Sequence, residues 1–277
     1  MKPSRQPFDF SVDKFPPLPR LKGLMVTGTD TGVGKTLVAG AIAQYFRHAG
    51  KSVGVFKPIA TGCRRRREGL FSEDGEFLSA CADSRQSLAQ IVPICLGPAM
   101  SPNIAVRRAG LAKIDLQIIF DAYAAMRGQS DVTIVEGVGG LLCPITDDFW
   151  VIHFARLIQL PIVIVARPGL GTINHTLLTI HAARSAGLCV AGVVINGYQI
   201  EPQRQRHLTA ASPAQAPATD DELSELNNPD QIARLGKVDI LAIVPQEAGN
   251  SVLAATIGKD TQFAVKQISW ERLLENS

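Results

Sequence analysis

The sequence of 277 residues is 46% apolar and 19% charged, which suits one large domain or two small ones with a substantial core. Its formal net charge of +3 is too small to indicate a nucleic-acid-binding protein, and no apolar run reaches the ~18 residues of a membrane-spanning helix. The five cysteines are scattered without a CxxC pair. That pattern argues against a disulfide framework and a zinc site, and favours a reducing cytoplasm.

The first 22 residues contain several prolines and charges and no apolar core. They fit neither a secretory signal nor a bilayer span. We expect an extended or mobile leader over residues 1–22, with a strap packed on the domain surface as the alternative. Residues 23–277 are expected to form a single domain.

Apolar runs of about five residues alternate with amphipathic helical segments along this domain. Strands are predicted at Leu24–Thr27, Val53–Phe56, Val132–Val135, Ile162–Ala166, Cys189–Ile195 and Ile240–Val244. Helices are predicted at Gly34–His48, Glu76–Ala82, Lys113–Arg127, Phe149–Ile158, Thr172–Ala186 and Thr261–Leu274. The alternation predicts an α/β fold with a parallel sheet flanked by helices on both faces.

Two segments interrupt this rhythm. Gly62–Gly75 is polar and is predicted to be irregular; it contains the arginine run Arg64–Arg67. We expect the run to be a solvated charge cluster, with a mobile clamp on an anionic substrate or nucleotide as the alternative. Gln203–Asn228 is rich in Ala, Pro, Gln, Ser and Thr, which predicts a mobile insertion around residues 200–228.

A glycine-rich loop, GTDTGVGKT from Gly28 to Thr36, lies between the first predicted strand and helix. Glycines allow successive backbone N–H groups to face an anion, and the helix N-terminus adds a partial positive charge. The loop is one residue longer than the standard P-loop, whose first glycine would fall at Thr29. The residues predicted to bind the nucleotide here are Thr29, Asp30, Thr31, Gly32, Val33, Gly34, Lys35 and Thr36.

A second cluster, KPIATG from Lys57 to Gly62, follows the second strand. In open α/β sheets ligands bind beyond the carboxyl ends of the strands, so Lys57 is expected to face the phosphate loop. Two lysines at one triphosphate indicate phosphoryl transfer. Glu136 follows a buried strand and is a candidate Mg²⁺ ligand. Asp74 is the second candidate, with Glu73 as its competitor.

These motifs, taken in order, resemble those of the dethiobiotin synthetase family. The family carries a GTDTxVGKT-type loop, KPxxxG, an acidic segment, VEGxGG, a GxxNH helix start and a strand ending in Asn. The matching segments here are Gly28–Thr36, Lys57–Gly62, Ser72–Asp74, Val135–Gly140, Gly171–His175 and Val193–Asn196. The resemblance extends from Leu24 to Asn196, and one departure is Gly32, where some members carry an acidic residue.

The resemblance implies a homodimer with a P-loop nucleoside-triphosphatase fold that uses ATP and Mg²⁺. Family members join CO₂ to 7,8-diaminononanoate in biotin synthesis. One amine becomes a carbamate, which attacks the ATP γ-phosphate to give a mixed carbamic-phosphoric anhydride. The second amine then displaces phosphate and closes the ureido ring.

The resemblance also implies roles for single residues. Lys35 would hold the β- and γ-phosphates, Lys57 would bind the carbamate and γ-phosphate, and Thr61 would hydrogen-bond near the diamine. These three are the catalytic candidates. Thr36, Asp74 and Glu136 would hold Mg²⁺. Asn196 and Pro245 would contact adenine, and the substrate carboxylate would bind, across the dimer interface, to Gly171, Thr172, Ile173 and Asn174.

Three alternatives share the same scaffold. A cobyrinate-type amide synthetase needs a glutaminase domain, for which the chain is too short. A ParA/MinD-like partitioning ATPase carries an additional lysine near the start of its loop, where this chain has Thr27, Thr29 and Asp30. A non-catalytic regulator remains open, although the retained Lys35 and Lys57 argue against it.

Overall fold

The computed structural model describes residues 9–200 and 218–275. Its strands are β1 Gly23–Gly28, β2 Val53–Phe56, β3 Ala60–Thr61, β4 Arg64–Arg66, β5 Gly69–Phe71, β6 Cys95–Leu96, β7 Val132–Gly140, β8 Ile162–Ala166, β9 Val190–Tyr198 and β10 Ile240–Pro245. Its helices are α1 Lys35–His48, α2 Glu73–Ala82, α3 Leu88–Ile91, α4 Pro102–Arg108, α5 Leu116–Ala124, α6 Val151–Ile158, α7 Thr172–Ser185, α8 Asp220–Gly236, α9 Lys259–Lys266 and α10 Trp270–Glu275.

Six strands form one parallel sheet in the order β10-β9-β8-β1-β7-β2. The first strand therefore lies near the centre, and its carboxyl end opens between those of β7 and β8. Because ligands of open α/β sheets bind beyond the carboxyl ends of the strands, this edge is the expected site. The α/β class with a parallel sheet is confirmed.

Two apolar clusters cover the two faces of the sheet. Successive side chains of a strand point to opposite faces, so Met25 lies in the first cluster whereas Leu24 and Val26 lie in the second. The first cluster is closed by helices α5, α6, α7 and α8 through Phe120, Phe154, Ile180 and Ile232. The second is closed by helices α1, α2, α9 and α10 through Phe46, Phe77, Val265 and Trp270.

The described part of the N-terminal segment, residues 9–22, packs on the first cluster. The ring of Phe15 meets that of Phe149 edge-on, with centroids 4.7 Å apart. The guanidinium of Arg156 donates to the backbone oxygen of Phe10. These contacts favour the alternative of a surface strap for this part of the leader.

Several predicted boundaries are wrong. Residues 62–75 are not irregular: they contain the antiparallel hairpin β4–β5, and α2 begins at Glu73 because Ser72 caps it, accepting from the N–H of Gly75 at 3.2 Å. The predicted terminal helix is two short helices, α9 and α10. Strand β7 continues through Glu136 to Gly140.

The predicted mobile insertion around residues 200–228 is wrong over its last part. Helix α8 begins at Asp220, with Thr219 as its N-cap: the Thr219 side chain accepts from the N–H of Glu222, whose side chain accepts from the N–H of Thr219. This reciprocal capping satisfies two backbone donors at the helix start. Residues 201–217 of the predicted insertion lie outside the described residues.

Within residues 9–200 and 218–275, no helix combines the length and the apolar character that crossing a bilayer requires. The five cysteines are all free thiols.

Candidate active site

The phosphate loop connects β1 to α1 at the carboxyl edge of the sheet. Its entry is fixed by the Thr29 N–H, which donates to the Val165 oxygen of β8 at 2.9 Å. Gly34, the N-cap of α1, is left-handed, with φ of 92°, a conformation that favours glycine. The Lys35 ammonium turns back over the loop and donates to the Asp30 oxygen at 2.8 Å. The loop therefore curls around its own lysine, as an anion-binding loop requires.

Asn196, at the carboxyl end of β9, contacts the phosphate loop that follows β1, although β8 lies between these two strands. Its side-chain amide donates to the Val33 oxygen at 2.9 Å. The contact is so close that a Cβ on Gly34 would lie 2.0 Å from the Asn196 Nδ2 atom. The Oδ1 atom of Asn196 is buried and has no hydrogen-bond partner among the residues that the structure describes.

Lys57, Glu136, Thr36 and Asp74 form one connected group next to the loop. The Lys57 ammonium donates to Glu136 Oε1 at 2.7 Å and lies 2.9 Å from Asp74 Oδ2. The Thr36 hydroxyl donates to the same Glu136 oxygen at 2.8 Å. Because β2 and β7 are neighbours in the sheet, residues that are far apart in sequence meet at one point.

Burial and charge act in opposite directions on these groups. Burial opposes the charge of Lys57, but Glu136 and Asp74 outweigh it and raise the pKa of Lys57 above its ordinary value. Burial lowers the pKa of Lys35. Burial also raises the pKa of Glu136, which Lys57 opposes. Burial would raise the pKa of Asp74, but Lys57 and the Thr36 hydroxyl outweigh it and lower that pKa below its ordinary value.

Asp74 and Glu73, the two competing candidates, make contacts in different directions. Asp74 meets Lys57 inside the site, whereas Glu73 turns outward to Arg64, with 3.0 Å between the charged groups. Sequence reasoning missed this pairing because it treated the arginine run as irregular. Four consecutive arginines show no apolar–polar alternation, so Gly69, a turn residue, is the one sequence signal in this run that is compatible with a hairpin.

A cavity of about 300 Å³ lies beside the phosphate loop, between the turn that follows β7 and helix α7. Its lining includes Thr31, Gly139, Cys143, His175 and Leu178. The turn that supplies Cys143 was not predicted as part of the site, since no motif or periodicity marks it.

The predicted carboxylate-binding residues at the start of α7 are not brought into the lining of this cavity. Gly171 is the left-handed N-cap, Thr172 is fully buried and Asn174 is exposed. Ile173 packs against the first apolar cluster. The second turn of α7, rather than this first turn, therefore faces the phosphate loop within one chain.

Of the three remaining predicted residues, Asn196 and Pro245 lie at strand ends of the same edge, whereas Thr61 lies on β3, which pairs with β6 in a separate two-stranded sheet. Thr61 ends β3 and is half-buried. Asn196 and Pro245 lie at the carboxyl ends of β9 and β10, where Asn196 is registered with Val244. Pro245 lines an open groove of about 840 Å³ together with Tyr198 and other residues.

The donor set fits a magnesium ion. Mg²⁺ takes oxygen ligands and usually one or two carboxylates together with phosphate and water. The structure offers the Thr36 hydroxyl and the carboxylates of Asp74 and Glu136. The Glu136 Oε2 atom is buried, and no described residue forms a hydrogen bond with it. Among the described residues no group of three or more His, Cys, Asp or Glu could hold a metal, so an all-protein metal cage is not indicated there.

The family model described as an AAA domain matches residues 22–251. The ATP-dependent dethiobiotin synthetase BioD of Bacillus cereus (strain B4264) is 43% identical over 178 residues, which are 64% of this chain and 72% of the relative. The enzyme of the same name from Bacillus subtilis (strain 168) is 33% identical over 228 residues, which are 82% of this chain and 89% of the relative. The enzyme from Thermodesulfovibrio yellowstonii is 36% identical over 230 residues, which are 80% of this chain and 88% of the relative.

Solved structures agree on the fold. The MinD cell division protein of Aquifex aeolicus superposes with a TM-score of 0.53 at 15% identity, covering 93% of this chain and 98% of that chain. A ParA family ATPase from Chlorobium tepidum superposes with a TM-score of 0.51 at 12% identity, covering 89% and 98%. At such identities the likeness shows a shared fold and nothing further.

Proposed function

The chain belongs to the dethiobiotin synthetase family, and on that premise we propose that it closes the ureido ring of dethiobiotin. The reactants are 7,8-diaminononanoate, CO₂ and ATP, and the other products are ADP and phosphate. The observation that carries the proposal is the Lys57 ammonium, held by two carboxylates beside the phosphate loop.

Lys57 and Lys35 place two ammonium groups at the carboxyl edge of the sheet from different elements. Burial lowers the pKa of Lys35, and the nearby Lys57 ammonium contributes to the lowering. Bound phosphates would take over the contacts that Lys35 now makes with the Asp30 oxygen. Chemistry of this kind needs positioning and charge stabilisation, which preorganised ammonium and backbone N–H groups provide.

Thr36, Asp74 and Glu136 would hold Mg²⁺. When bound, the ion would offset negative charge on the phosphates. The buried Glu136 Oε2 atom has no partner within residues 9–200 and 218–275, which supports this assignment because a buried carboxylate oxygen without a partner is costly. The Lys57 ammonium already bridges the same two carboxylates, so their arrangement suits a cation before any metal binds.

The diamine would occupy the cavity between the phosphate loop and α7, where Thr31 and Cys143 lie. Thr61, at the end of β3, would hydrogen-bond near it. Asn196 and Pro245 would receive the adenine. The Asn196 Oδ1 atom, which accepts no hydrogen bond from the described part of the chain, supports this, since an amide oxygen can accept from the amino group of adenine.

We also propose a homodimer. Gly171–Asn174 stand outside the cavity of their own chain, which fits binding of the substrate carboxylate by the partner copy. Exposed leucines on and just before α7 support an interface there: Leu170 is 83% exposed and Leu178 59%. Light scattering should show Leu178→Arg shifting the chain toward monomers. Leu235→Arg, an equally polar change at a 50% exposed position of α8, serves as control.

A cytoplasmic location is part of the proposal. All five cysteines are free, which suits a reducing compartment.

One assay tests the reaction directly. The full chain is incubated with ATP, Mg²⁺, bicarbonate and 7,8-diaminononanoate, and dethiobiotin and ADP are quantified by mass spectrometry. We expect equal amounts of both products and no ATP turnover without the diamine. ATP turnover that ignores the diamine would instead favour a partitioning ATPase, and absence of nucleotide binding would favour a regulator.

A further inference from the structure

The arginine run Arg64–Arg67 has no role in the proposed reaction, yet it is folded against helix α2. Its first three residues form β4, which pairs antiparallel with β5, and Arg64 lies opposite Phe71. Side chains alternate between the two faces of a strand, so Arg64 and Arg66 share one face and Arg65 takes the other. We call the segment from Arg64 to Phe71 the arginine hairpin.

The shared face of the hairpin contacts the first turn of α2. Arg64 pairs with Glu73 at 3.0 Å, and Arg66 pairs with Glu76 through both guanidinium nitrogens, the longer contact being 3.0 Å. The Arg66 guanidinium also stacks on the ring of Phe71, 3.5 Å from its centroid. The fork of a guanidinium suits such combined pairing and stacking better than an ammonium does.

Helix geometry explains why Asp74 is left out of these pairs. Glu73 and Glu76 are three residues apart and are therefore neighbours on one side of α2. Asp74, one residue after Glu73, points about 100° away from it around the helix and meets Lys57 at 2.9 Å. The hairpin thus holds two of the three acidic side chains of this turn and leaves the third at the site.

We propose that Arg64 and Arg66 are positioning residues: they hold Glu73 and Glu76 away from the site, so that Asp74 is the one carboxylate of this turn that faces the magnesium ion. The inference rests on the proposed function, in which Asp74 is a ligand of that ion. Without the hairpin pairs, three carboxylates in one turn repel each other, and Glu73 competes with Asp74 for Lys57 and for the cation. A single exposed ion pair contributes little, but these two pairs act on the same helical turn.

The hairpin supplies its own control. Arg65 and Arg67 belong to the same run, and within the described chain neither forms an ion pair with a carboxylate. The variants R64A/R66A and R65A/R67A therefore remove the same charge from the same segment. Only the first removes the contacts with α2.

The test measures metal binding as well as turnover. Mn²⁺ binding to each full-length variant with ADP present is titrated by electron paramagnetic resonance, and the Mg²⁺ dependence of dethiobiotin formation is recorded. For R64A/R66A we expect the dissociation constant for Mn²⁺ to rise by about threefold or more. The Mg²⁺ concentration that gives half-maximal activity should rise in parallel. The KM for the diamine should be unchanged, and excess Mg²⁺ should restore kcat. For R65A/R67A both metal readouts should stay within about 1.5-fold of the parent, because neither arginine pairs with α2.

Equal metal binding in the two double variants would overturn the inference while leaving the proposed function intact. Asp74→Asn distinguishes failure of the inference from failure of the metal assignment. If this variant leaves Mn²⁺ binding unchanged, Asp74 is no ligand, and both the metal assignment and the inference fail. If R64A/R66A does not fold, the single variants R64A and R66A, which each remove one of the two pairs and keep all three carboxylates, take its place with the same expected direction.

Discussion

Substitution of Gly34 by alanine tests the contact between the phosphate loop and β9. Gly34 has a φ of 92°, and an added Cβ would lie 2.0 Å from the Nδ2 atom of Asn196. Gly32 provides a matched control, because its φ is 79° and a Cβ there would meet no atom of the described residues within 4 Å. Both variants carry the cost of a left-handed alanine, so their difference isolates the clash.

The magnitudes follow from these contacts. The left-handed backbone costs about 1–2 kcal/mol in either variant. In Gly34→Ala the Asn196 amide must also leave the Val33 oxygen, to which it donates at 2.9 Å. Losing that bond and leaving a buried polar atom without a partner costs about 1–3 kcal/mol more. We therefore expect Gly34→Ala to lower the free energy of unfolding by about 2–5 kcal/mol, and Gly32→Ala by about 1–2 kcal/mol.

Urea unfolding followed by circular dichroism gives the stabilities, and isothermal titration calorimetry gives the affinity for ADP. Adding Asn196→Ala removes the clashing amide, so the double variant G34A/N196A should be less destabilised than the sum of its two single changes. Equal destabilisation by Gly34→Ala and Gly32→Ala, or strict additivity of the double variant, would refute the placement of Asn196 against the loop.

Three further predictions concern the charged group and the strap. Lys57→Met and Lys35→Met should each lower the rate of dethiobiotin formation by about 10²-fold or more, measured by single-turnover mass spectrometry; retention of the parental rate in either would contradict the proposed roles. Because the pKa of Asp74 is lowered in the folded state, its contribution to stability is present above pH 3.8 and is lost as the pH falls through the folded pKa. Asp74→Asn should therefore reduce the loss of unfolding free energy at acid pH, measured by urea titrations at a series of pH values. An unchanged pH dependence would disprove the coupling to Lys57. Phe15→Ala should cost about 2 kcal/mol of stability, less than the 3–5 kcal/mol of a fully buried phenylalanine, with turnover unchanged; an unchanged unfolding midpoint would show that its edge contact with Phe149 contributes nothing.

Prediction from sequence was accurate where the signal is local. Strand Ile162–Ala166 and helix Lys35–His48 were located to within a residue, because apolar runs and the glycine-to-lysine junction are contiguous. Prediction failed where contacts with residues outside a segment determine the structure of that segment. Residues 64–71 form a hairpin whose arginines are ordered by carboxylates of α2, and neither charge nor propensity in the run indicates that partner.

The sequence by itself determined the phosphate loop, the alternation of strands and helices, and the family to which the chain belongs, since each depends on spacing along a short stretch. Only the tertiary structure decided that Lys57 meets Glu136 and that Asn196 reaches Val33. These contacts join residues 79 and 163 positions apart. They exist because the order of strands in the sheet brings β2 beside β7 and directs the carboxyl end of β9 toward the loop, and strand order is set by packing rather than by local periodicity.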